Sequence, residues 1–188
     1  KILKKSNIKI SDQFIKSINS VNRICSENIY SNQHYPSADN SSVDGFAINA
    51  RDTNGISQKK FKRLKIVGSI SAGSKPFKKV LKKDQAVEIM TGGILPIGTN
   101  CIVPIEKCSL IKDKINNYIL IKQKFKKFEN VRFKGSDFKK KDLLIKKNTL
   151  INSNHIMAFK ALGVGNIKVK KKINIIFFSS GNEISENN

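Results

Sequence analysis

The chain has 188 residues, 39% of them apolar, and its 36 Lys and Arg against 14 Asp and Glu give a formal net charge of +22. A chain of this length can bury a sizeable core, which predicts one or two compact units. No run of residues approaches the roughly 20 apolar positions of a membrane span, and three widely spaced cysteines without nearby histidines favour a reduced cytoplasmic protein over a zinc-binding one.

The excess of basic residues makes nucleic acid the first partner to consider, because a basic surface attracts any polyanion. Only four of the basic residues are Arg. No helix-turn-helix or zinc-knuckle spacing occurs. The pattern therefore favours solvated lysine faces over a specific nucleic-acid partner.

An amphipathic helix is the first predicted element, over residues 12–26. Ser11 or Asp12 can cap its first turn, and apolar residues recur at helical spacing at Phe14, Ile15, Ile18, Val21 and Cys25. A loop is predicted next, from Tyr35 to Ala47, because its Asp, Asn and Ser residues favour turns over regular structure.

A small β-rich module is predicted after this loop, because short apolar runs alternate with Gly, Pro and Asn. The predicted strands cover residues 64–70, 86–90, 101–105 and 118–121. The run 109–111 forms a hairpin with 118–120 around a turn at 112–117. A second helix is predicted over 153–162, capped by Asn152 or Ser153 and ended by Gly163, with a strand over 166–169 after it.

The last predicted element is a strand over residues 173–178. Its mostly apolar run opens into Ser179, Ser180 and Gly181, as buried parallel strands do where they end in a site-bearing loop. Such a strand needs a crossover and partner strands, for which the ten residues after Phe178 are too few. We therefore expect Asn188 to be a truncation point, and Lys rather than Met at position 1 indicates a start within a longer reading frame.

Four short blocks stand out along the chain. They are Asp39-Asn40-Ser41-Ser42-Val43-Asp44-Gly45-Phe46-Ala47; Glu88-Ile89-Met90-Thr91-Gly92-Gly93 with Leu95-Pro96 and Gly98; Asn130-Val131-Arg132 with Gly135-Ser136-Asp137; and Phe178-Ser179-Ser180-Gly181-Asn182-Glu183. In this order they resemble the molybdopterin molybdenumtransferases, a family that includes the carboxyl-terminal domain of gephyrin. The first block is similar to the family's Asp-Asn-Ser-Ala-Met-Asp-Gly-Tyr-Ala. Ser136 in the third block and Asn182 in the fourth depart from the family pattern, which usually has Glu and Asp at these two positions. The resemblance runs from about Val21 to Ile184.

This resemblance implies an α+β, multidomain fold and an elongated homodimer. A split first domain with helices, which carries the dimer contact, would take residues 1–47 and 131–170, and an inserted β-rich second domain would take 48–130. Residues 171–188 would begin a truncated α/β domain that binds molybdopterin. In the family the site lies between this third domain of one subunit and the second domain of its partner.

The family reaction inserts molybdate into adenylylated molybdopterin and releases AMP, a step of molybdenum cofactor biosynthesis. The resemblance thus implies a cytoplasmic transferase whose substrates are molybdate and adenylylated molybdopterin, with magnesium as the metal ion. It implies neither a membrane nor a specific nucleic acid as partner. We expect the chain to be inactive by itself, because the molybdopterin-binding domain would be incomplete.

The site residues follow from the matched blocks. The catalytic carboxylates implied are Asp39, Asp137 and Glu183, and magnesium would bind to Asp39 and Glu183. The substrate-binding residues implied are Asn40, Ser41, Asp44, Gly45, Thr91, Gly92, Ser180 and Gly181, with the Thr91 hydroxyl as a donor. A purely local reading is also open, in which Asp39 and Asp44 only cap turns and Thr91 begins a tight strand exit.

Two other functions remain open at this point. The first is a non-catalytic dimerising or scaffold module of the same fold, which would bind partners without a nucleotide requirement. The second is a lysine-rich nucleic-acid binder, which would show a steep dependence of affinity on salt. A partner-binding assay without nucleotide would detect the first, and the salt dependence of nucleic-acid affinity would detect the second.

Overall fold

Strands dominate the computed structural model, which describes residues 9–57, 60–176 and 178. The strands within this part of the chain are β1 (Asp12–Lys16), β2 (Ile29–Tyr30), β3 (Asn40–Ser41), β4 (Gly45–Ile48), β5 (Lys62–Ile70), β6 (Gln85–Ile89), β7 (Cys101–Pro104), β8 (Cys108–Lys112), β9 (Asn117–Ile121), β10 (Val131–Arg132), β11 (Leu143–Ile145) and β12 (Asn166–Lys170). One α-helix, α1, spans Ser153–Ala161. Short 3-10 turns cover Ser17–Asn19, Ala50–Thr53 and Ile105–Lys107.

The chain divides into two compact units. The inserted unit runs from Ser31 to Asp142, and the split unit takes the described residues before and after it. These boundaries differ from the predicted ones at 47/48 and 130/131, because β4 continues across 47/48 and the β3–β10 pair lies inside the inserted unit. The dimer contact and the molybdopterin-binding role of residues 171–188 stay predictions.

A six-stranded mixed sheet forms the centre of the inserted unit, in the order β7-β4-β6-β5-β9-β8. β5 and β6 run parallel, and the other neighbours are antiparallel. All four residues of β4 and all four of β7 are buried, which explains their continuous apolar character. Along β4, Phe46 and Ile48 pack into one core cluster and Ala47 into another, as the two-residue period of a strand requires.

The predicted strands of the inserted unit are confirmed with small shifts at their ends. β5, β6, β7 and β9 correspond to the four predicted runs, and β8 and β9 form the predicted hairpin. The loop prediction over 35–47 is wrong in part, because it contains β3 and the start of β4. Their Asp, Asn and Ser content resembles a loop, but both strands are fixed by partners distant in the chain, β10 and β6.

The split unit packs α1 against two small antiparallel pairs, β1–β12 and β2–β11. The Asn152 side chain accepts a hydrogen bond from the His155 amide at 3.2 Å, and His155 Nδ1 accepts one from the Asn152 amide at 3.1 Å. This reciprocal cap starts the helix, and Gly163 follows its end with φ +71°. The predicted helix and its end at Gly163 are confirmed.

The helix predicted over 12–26 is wrong. Residues 12–16 form β1 instead, which pairs with β12, and Asp12 receives a hydrogen bond from Lys170 Nζ at 2.8 Å. Phe14 is 70% exposed and Ile18 is 49% exposed. The helical spacing of these apolar residues therefore does not reflect a buried face.

The strand predicted over 173–178 is also absent from the residues of that segment that the structure describes, 173–176 and 178. Ile175 and Ile176 are 66% and 76% exposed. An apolar run becomes a strand only beside a partner strand, and within the described ranges no strand pairs with it. Likewise, no helix in the described part of the chain is long and apolar enough to cross a membrane.

Candidate functional site

The first and second sequence blocks meet where β4 begins and β6 ends. The two strands are antiparallel neighbours, with Gly45 opposite Ile89. Asp44 Oδ1 accepts hydrogen bonds from the Thr91 amide at 2.6 Å and from the Thr91 hydroxyl at 2.8 Å. These two donors, the amide first, hold the pKa of Asp44 below its ordinary value. The Asp44 carboxylate therefore fixes the turn after β6.

The Thr91 hydroxyl is consequently not the free donor that the sequence analysis expected. Its hydrogen already points at Asp44, so its oxygen offers a ligand only lone pairs. The Gly92 amide is also engaged, because it donates to the Ser41 carbonyl at 2.8 Å. Thr91 and Gly92 are both exposed, and Gly92 has φ +81°, a conformation that favours glycine.

Ser41 connects the turn after β6 to the third sequence block. The Ser41 amide donates to the Gly93 carbonyl at 2.9 Å. Ser41 is also the ladder partner of Val131 in β10. Ser41 is 1% exposed, and its hydroxyl donates to the Val43 carbonyl. Ser41 therefore holds three blocks in one arrangement and presents no free group to a ligand.

Gly45 is required by close packing of the sheet. A Cβ at this position would lie 2.0 Å from the Val103 carbonyl oxygen in β7. Since that oxygen belongs to the backbone, it has little freedom to move away. The glycine of the first block thus permits the approach of β4 to β7, whichever ligand binds nearby.

Asp39 is an exposed carboxylate beside a cleft of about 430 Å³. Its Oδ1 accepts a hydrogen bond from the Lys134 amide at 2.8 Å, and its carbonyl accepts one from the Leu95 amide at 3.0 Å. Leu95 and Lys134 also line the cleft. The backbone around Asp39 is therefore fixed on both sides, while its carboxylate faces solvent.

Asn40 follows in β3 and pairs with Arg132 of β10. It is 8% exposed, and its Oδ1 is buried without a hydrogen-bond partner among the described residues. Leaving such an acceptor unsatisfied typically costs about 1–3 kcal/mol. Asn40 Oδ1 is thus the buried group at this edge that can still accept a hydrogen bond.

Asp137 returns to the same edge through the turn after β10. Its Oδ2 forms an ion pair with Arg132, and its Oδ1 accepts a hydrogen bond from the Ser136 hydroxyl at 3.1 Å. Asp137 and Arg132 are both exposed. Arg132 was absent from the predicted site residues, although it stands in the third block. Its five-residue separation from an acidic residue gave no signal that the two would pair.

The described site therefore has two groups joined by β3. One group contains Asp44, Thr91 and Gly92, and the other contains Asp39, Asn40 and Asp137. Three further predicted residues, Ser180, Gly181 and Glu183, lie outside the described residues.

The predicted magnesium site is not formed by the described residues alone. Magnesium prefers an octahedral set of oxygen ligands. In the ranges that the structure describes, no three His, Cys, Asp or Glu side chains come together to hold a metal ion. Asp39 stands there as a single carboxylate with one oxygen engaged by the Lys134 amide. Magnesium therefore stays a prediction, with Glu183 as its second ligand.

The whole arrangement lies within a region that matches a known protein family. The family model of the MoeA N-terminal region (domain I and II) matches residues 1–163. This chain belongs to the MoeA N-terminal family. The match covers every described residue of the candidate site, including Asp39, Thr91 and Asp137.

Curated relatives in this family carry the name molybdopterin molybdenumtransferase. The protein from Staphylococcus aureus (strain Mu50 / ATCC 700699) is 32% identical over 169 residues, which are 90% of this chain and 39% of the relative. That from Staphylococcus epidermidis (strain ATCC 35984 / DSM 28319 / BCRC 17069 / CCUG 31568 / BM 3577 / RP62A) is 28% identical over 186 residues, 99% of this chain and 43% of the relative. This chain thus spans about two fifths of their length.

Solved structures agree with this assignment. The molybdopterin biosynthesis moea protein from Pyrococcus horikosii superposes with a TM-score of 0.79 at 31% identity, covering 91% of this chain and 42% of that one. A second structure, the moeA protein from Pyrococcus horikoshii OT3, gives a TM-score of 0.76 at 25% identity, covering 85% and 41%. The strand-rich fold with a mixed sheet is therefore a MoeA fold.

Proposed function

We propose that this chain forms the N-terminal part of a molybdopterin molybdenumtransferase, which inserts molybdate into adenylylated molybdopterin and releases AMP during molybdenum cofactor biosynthesis. The observation that carries the proposal is the meeting of three family sequence blocks along β3, within one unit and around exposed carboxylates. The whole protein would work as a cytoplasmic homodimer. This chain alone would not complete the reaction.

Asp39 and Asp137 are the residues to which we assign direct roles, together with Glu183. Both described carboxylates are exposed, and each retains acceptor capacity beyond the contacts it makes. Such groups can orient a water molecule or bind the cation that accompanies a pyrophosphate. Asn40 Oδ1 would accept a hydrogen bond from the substrate or from an ordered water molecule, which would remove its unsatisfied state.

Asp44, Ser41 and Gly45 have a supporting role in this proposal. Asp44 accepts hydrogen bonds from both the amide and the hydroxyl of Thr91. The Thr91 hydroxyl oxygen would therefore act toward the substrate as a hydrogen-bond acceptor. Ser41 and Gly45 set the distances between the blocks through backbone contacts. Replacing Ser41 or Gly45 should therefore disturb the geometry of the whole site, rather than remove one contact with the substrate.

A chimaera provides the test. The chain is joined to the remaining part of the Staphylococcus aureus relative in place of that protein's own N-terminal region. Purified chimaera, molybdate and adenylylated molybdopterin should yield AMP and active cofactor. Asp39→Asn and Asp137→Asn should each slow AMP release by about 100-fold or more, the usual size of a lost acid-base or positioning carboxylate.

Asp113→Asn is the matched control for Asp137→Asn. Asp113 also pairs with an arginine, at 2.9 Å from Arg63, but it lies in the β8–β9 hairpin turn away from the sequence blocks. It should leave AMP release unchanged. A chimaera that folds and dimerises but forms neither AMP nor cofactor would contradict the transferase and leave the non-catalytic scaffold as the better function.

A further inference from the structure

A basic cleft of about 560 Å³ lies in the inserted unit, outside the residues assigned above to the transferase site. Four cationic side chains line it: Arg51, Lys124, Lys126 and Lys127. All four are exposed. Its volume is within the range of small-molecule sites.

These four cations have no carboxylate partner in the described ranges, where none of them forms an ion pair. Two acidic residues lie near these cations in sequence. Glu129 uses its carboxylate to accept a hydrogen bond from the Lys126 amide at 2.8 Å. Asp52, next to Arg51, is buried and accepts one from the Asp84 amide at 3.2 Å. The charge of this cleft is therefore available to an external anion.

A second cleft, in the split unit, shows that this is more than the general excess of lysine. It is also lined by four cations, among them Arg23 and Lys170. There, however, Arg23 donates to the Lys170 carbonyl at 2.6 Å, and Lys170 Nζ bonds to Asp12 at 2.8 Å. Two of its four cations thus serve the fold, Arg23 through a carbonyl and Lys170 through a carboxylate, whereas among the described residues no carboxylate pairs with the cations of the basic cleft.

The backbone that carries the four cations is held rigidly. The Phe125 amide donates to the Thr53 hydroxyl at 3.1 Å, and the Phe128 amide donates to the Asn100 carbonyl at 2.7 Å, so the 124–127 segment is fixed at both ends. On the facing side, Asn100 Oδ1 accepts a hydrogen bond from the Ala50 amide at 2.8 Å. The backbone that carries these cations is therefore already ordered before a ligand binds.

The chemistry of the lining selects the class of ligand. The single aromatic lining residue, Phe125, is 1% exposed, so its ring is not open for stacking on a base. Lysine and arginine side chains instead bind phosphate oxygens through charge-assisted hydrogen bonds. We propose that the basic cleft binds a small phosphate anion with several negative charges, such as pyrophosphate or the phosphate end of a nucleotide. This site does not depend on the proposed transferase activity.

Calorimetric titration of the whole chain with inorganic pyrophosphate at physiological salt tests the proposal. The parent should bind one equivalent. The variant Arg51→Gln/Lys124→Gln/Lys126→Gln/Lys127→Gln should bind at least about tenfold more weakly, because it loses its charge-assisted contacts. The matched control changes four exposed lysines of the same unit that line none of the clefts described above: Lys75, Lys78, Lys114 and Lys140. It removes the same charge and should keep the parent affinity.

Three results would overturn the proposal. The first is the absence of pyrophosphate binding by the parent, and the second is equal weakening in the two quadruple variants, which would indicate non-specific attraction. The third is tighter binding of a short single-stranded oligonucleotide that is lost in the same cleft variant, which would assign the cleft to nucleic acid. Thermal unfolding of both variants at the parent temperature verifies that each is folded.

Discussion

Replacing Gly45 with Ala tests how closely β4 and β7 pack. The added Cβ would lie 2.0 Å from the Val103 carbonyl oxygen and 2.9 Å from its carbonyl carbon. No side-chain rotation can relieve a contact with the backbone, so the strands must separate by roughly 1 Å or more to reach van der Waals distance. Overpacking costs about 1–3 kcal/mol, and one or two weakened ladder hydrogen bonds add about 1 kcal/mol each, so we expect about 3 kcal/mol.

Native-state hydrogen exchange, followed by mass spectrometry on peptides that cover β4 and β7, measures this loss. A decrease of about 3 kcal/mol in the free energy of opening corresponds to exchange about 150-fold faster. Gly165→Ala is the control, because its Cβ would meet no atom within 4 Å and its φ lies outside the left-handed region. Exchange from β4 in Gly45→Ala within about threefold of the parent would refute the packing argument.

Three further predictions concern single residues. Hydrogen bonds from Thr91 lower the pKa of Asp44, so their full contribution to stability is present above the unfolded pKa of about 4 and is lost as the pH falls through the lowered pKa. The Thr91 amide resonance should therefore shift over that acidic range in the parent, and it should not shift in Asp44→Ala. Asn152→Ala removes the cap of α1 and should lower the free energy of unfolding by about 1 kcal/mol, measured by urea denaturation. Phe159→Ala empties a fully buried position and should lower it by about 3–5 kcal/mol.

Neighbouring positions in α1 supply the controls for the last two. Ser153→Ala changes an exposed hydroxyl in the first turn, and Met157→Ala shortens a side chain that is 74% exposed. Each should alter the free energy of unfolding by no more than about 0.5 kcal/mol. An effect of Asn152→Ala no larger than that of Ser153→Ala would remove the cap from the account of the helix. Equal losses in Phe159→Ala and Met157→Ala would contradict the assigned core.

Elements with local signals were predictable from the sequence. β5, β6 and β9 are apolar runs bounded by turn residues, and the hairpin needs only a short turn between its strands. The helix α1 has a polar cap at Asn152 and a glycine stop at Gly163 within the same dozen residues. In each case the residues that determine the structure are neighbours in the chain.

Elements fixed by distant partners were not predictable in this way. β1 pairs with a strand about 150 residues later, and β3 pairs with β10. The spacing of Phe14 and Ile18 fits a helix, but a periodic pattern carries no information about a strand that completes a ladder from elsewhere. Tertiary pairing overrode the local pattern here.

The site divides along the same line. The blocks that contain Asp39, Asp44 and Thr91 could be located from the sequence, because the resemblance to a family depends on residue order. The sequence could not predict which donor forms a hydrogen bond with each acceptor. The Thr91 hydroxyl donates to Asp44, and Asn40 Oδ1 receives no hydrogen bond from the described residues. Both facts depend on the approach of strands that are separate in sequence.

The discontinuity of the split unit has a consequence for synthesis on the ribosome. The inserted unit is complete in sequence once Asp142 has been made, whereas β1 must wait for Lys170 before its ladder can close. The N-terminal segment, with its exposed Phe14, therefore spends the translation of some 150 residues without its partner. Nascent chains should thus acquire protease resistance in two steps, the inserted unit first and the split unit later. Between these steps the unpaired N-terminal segment is the part of the chain most exposed to chaperones and to aggregation.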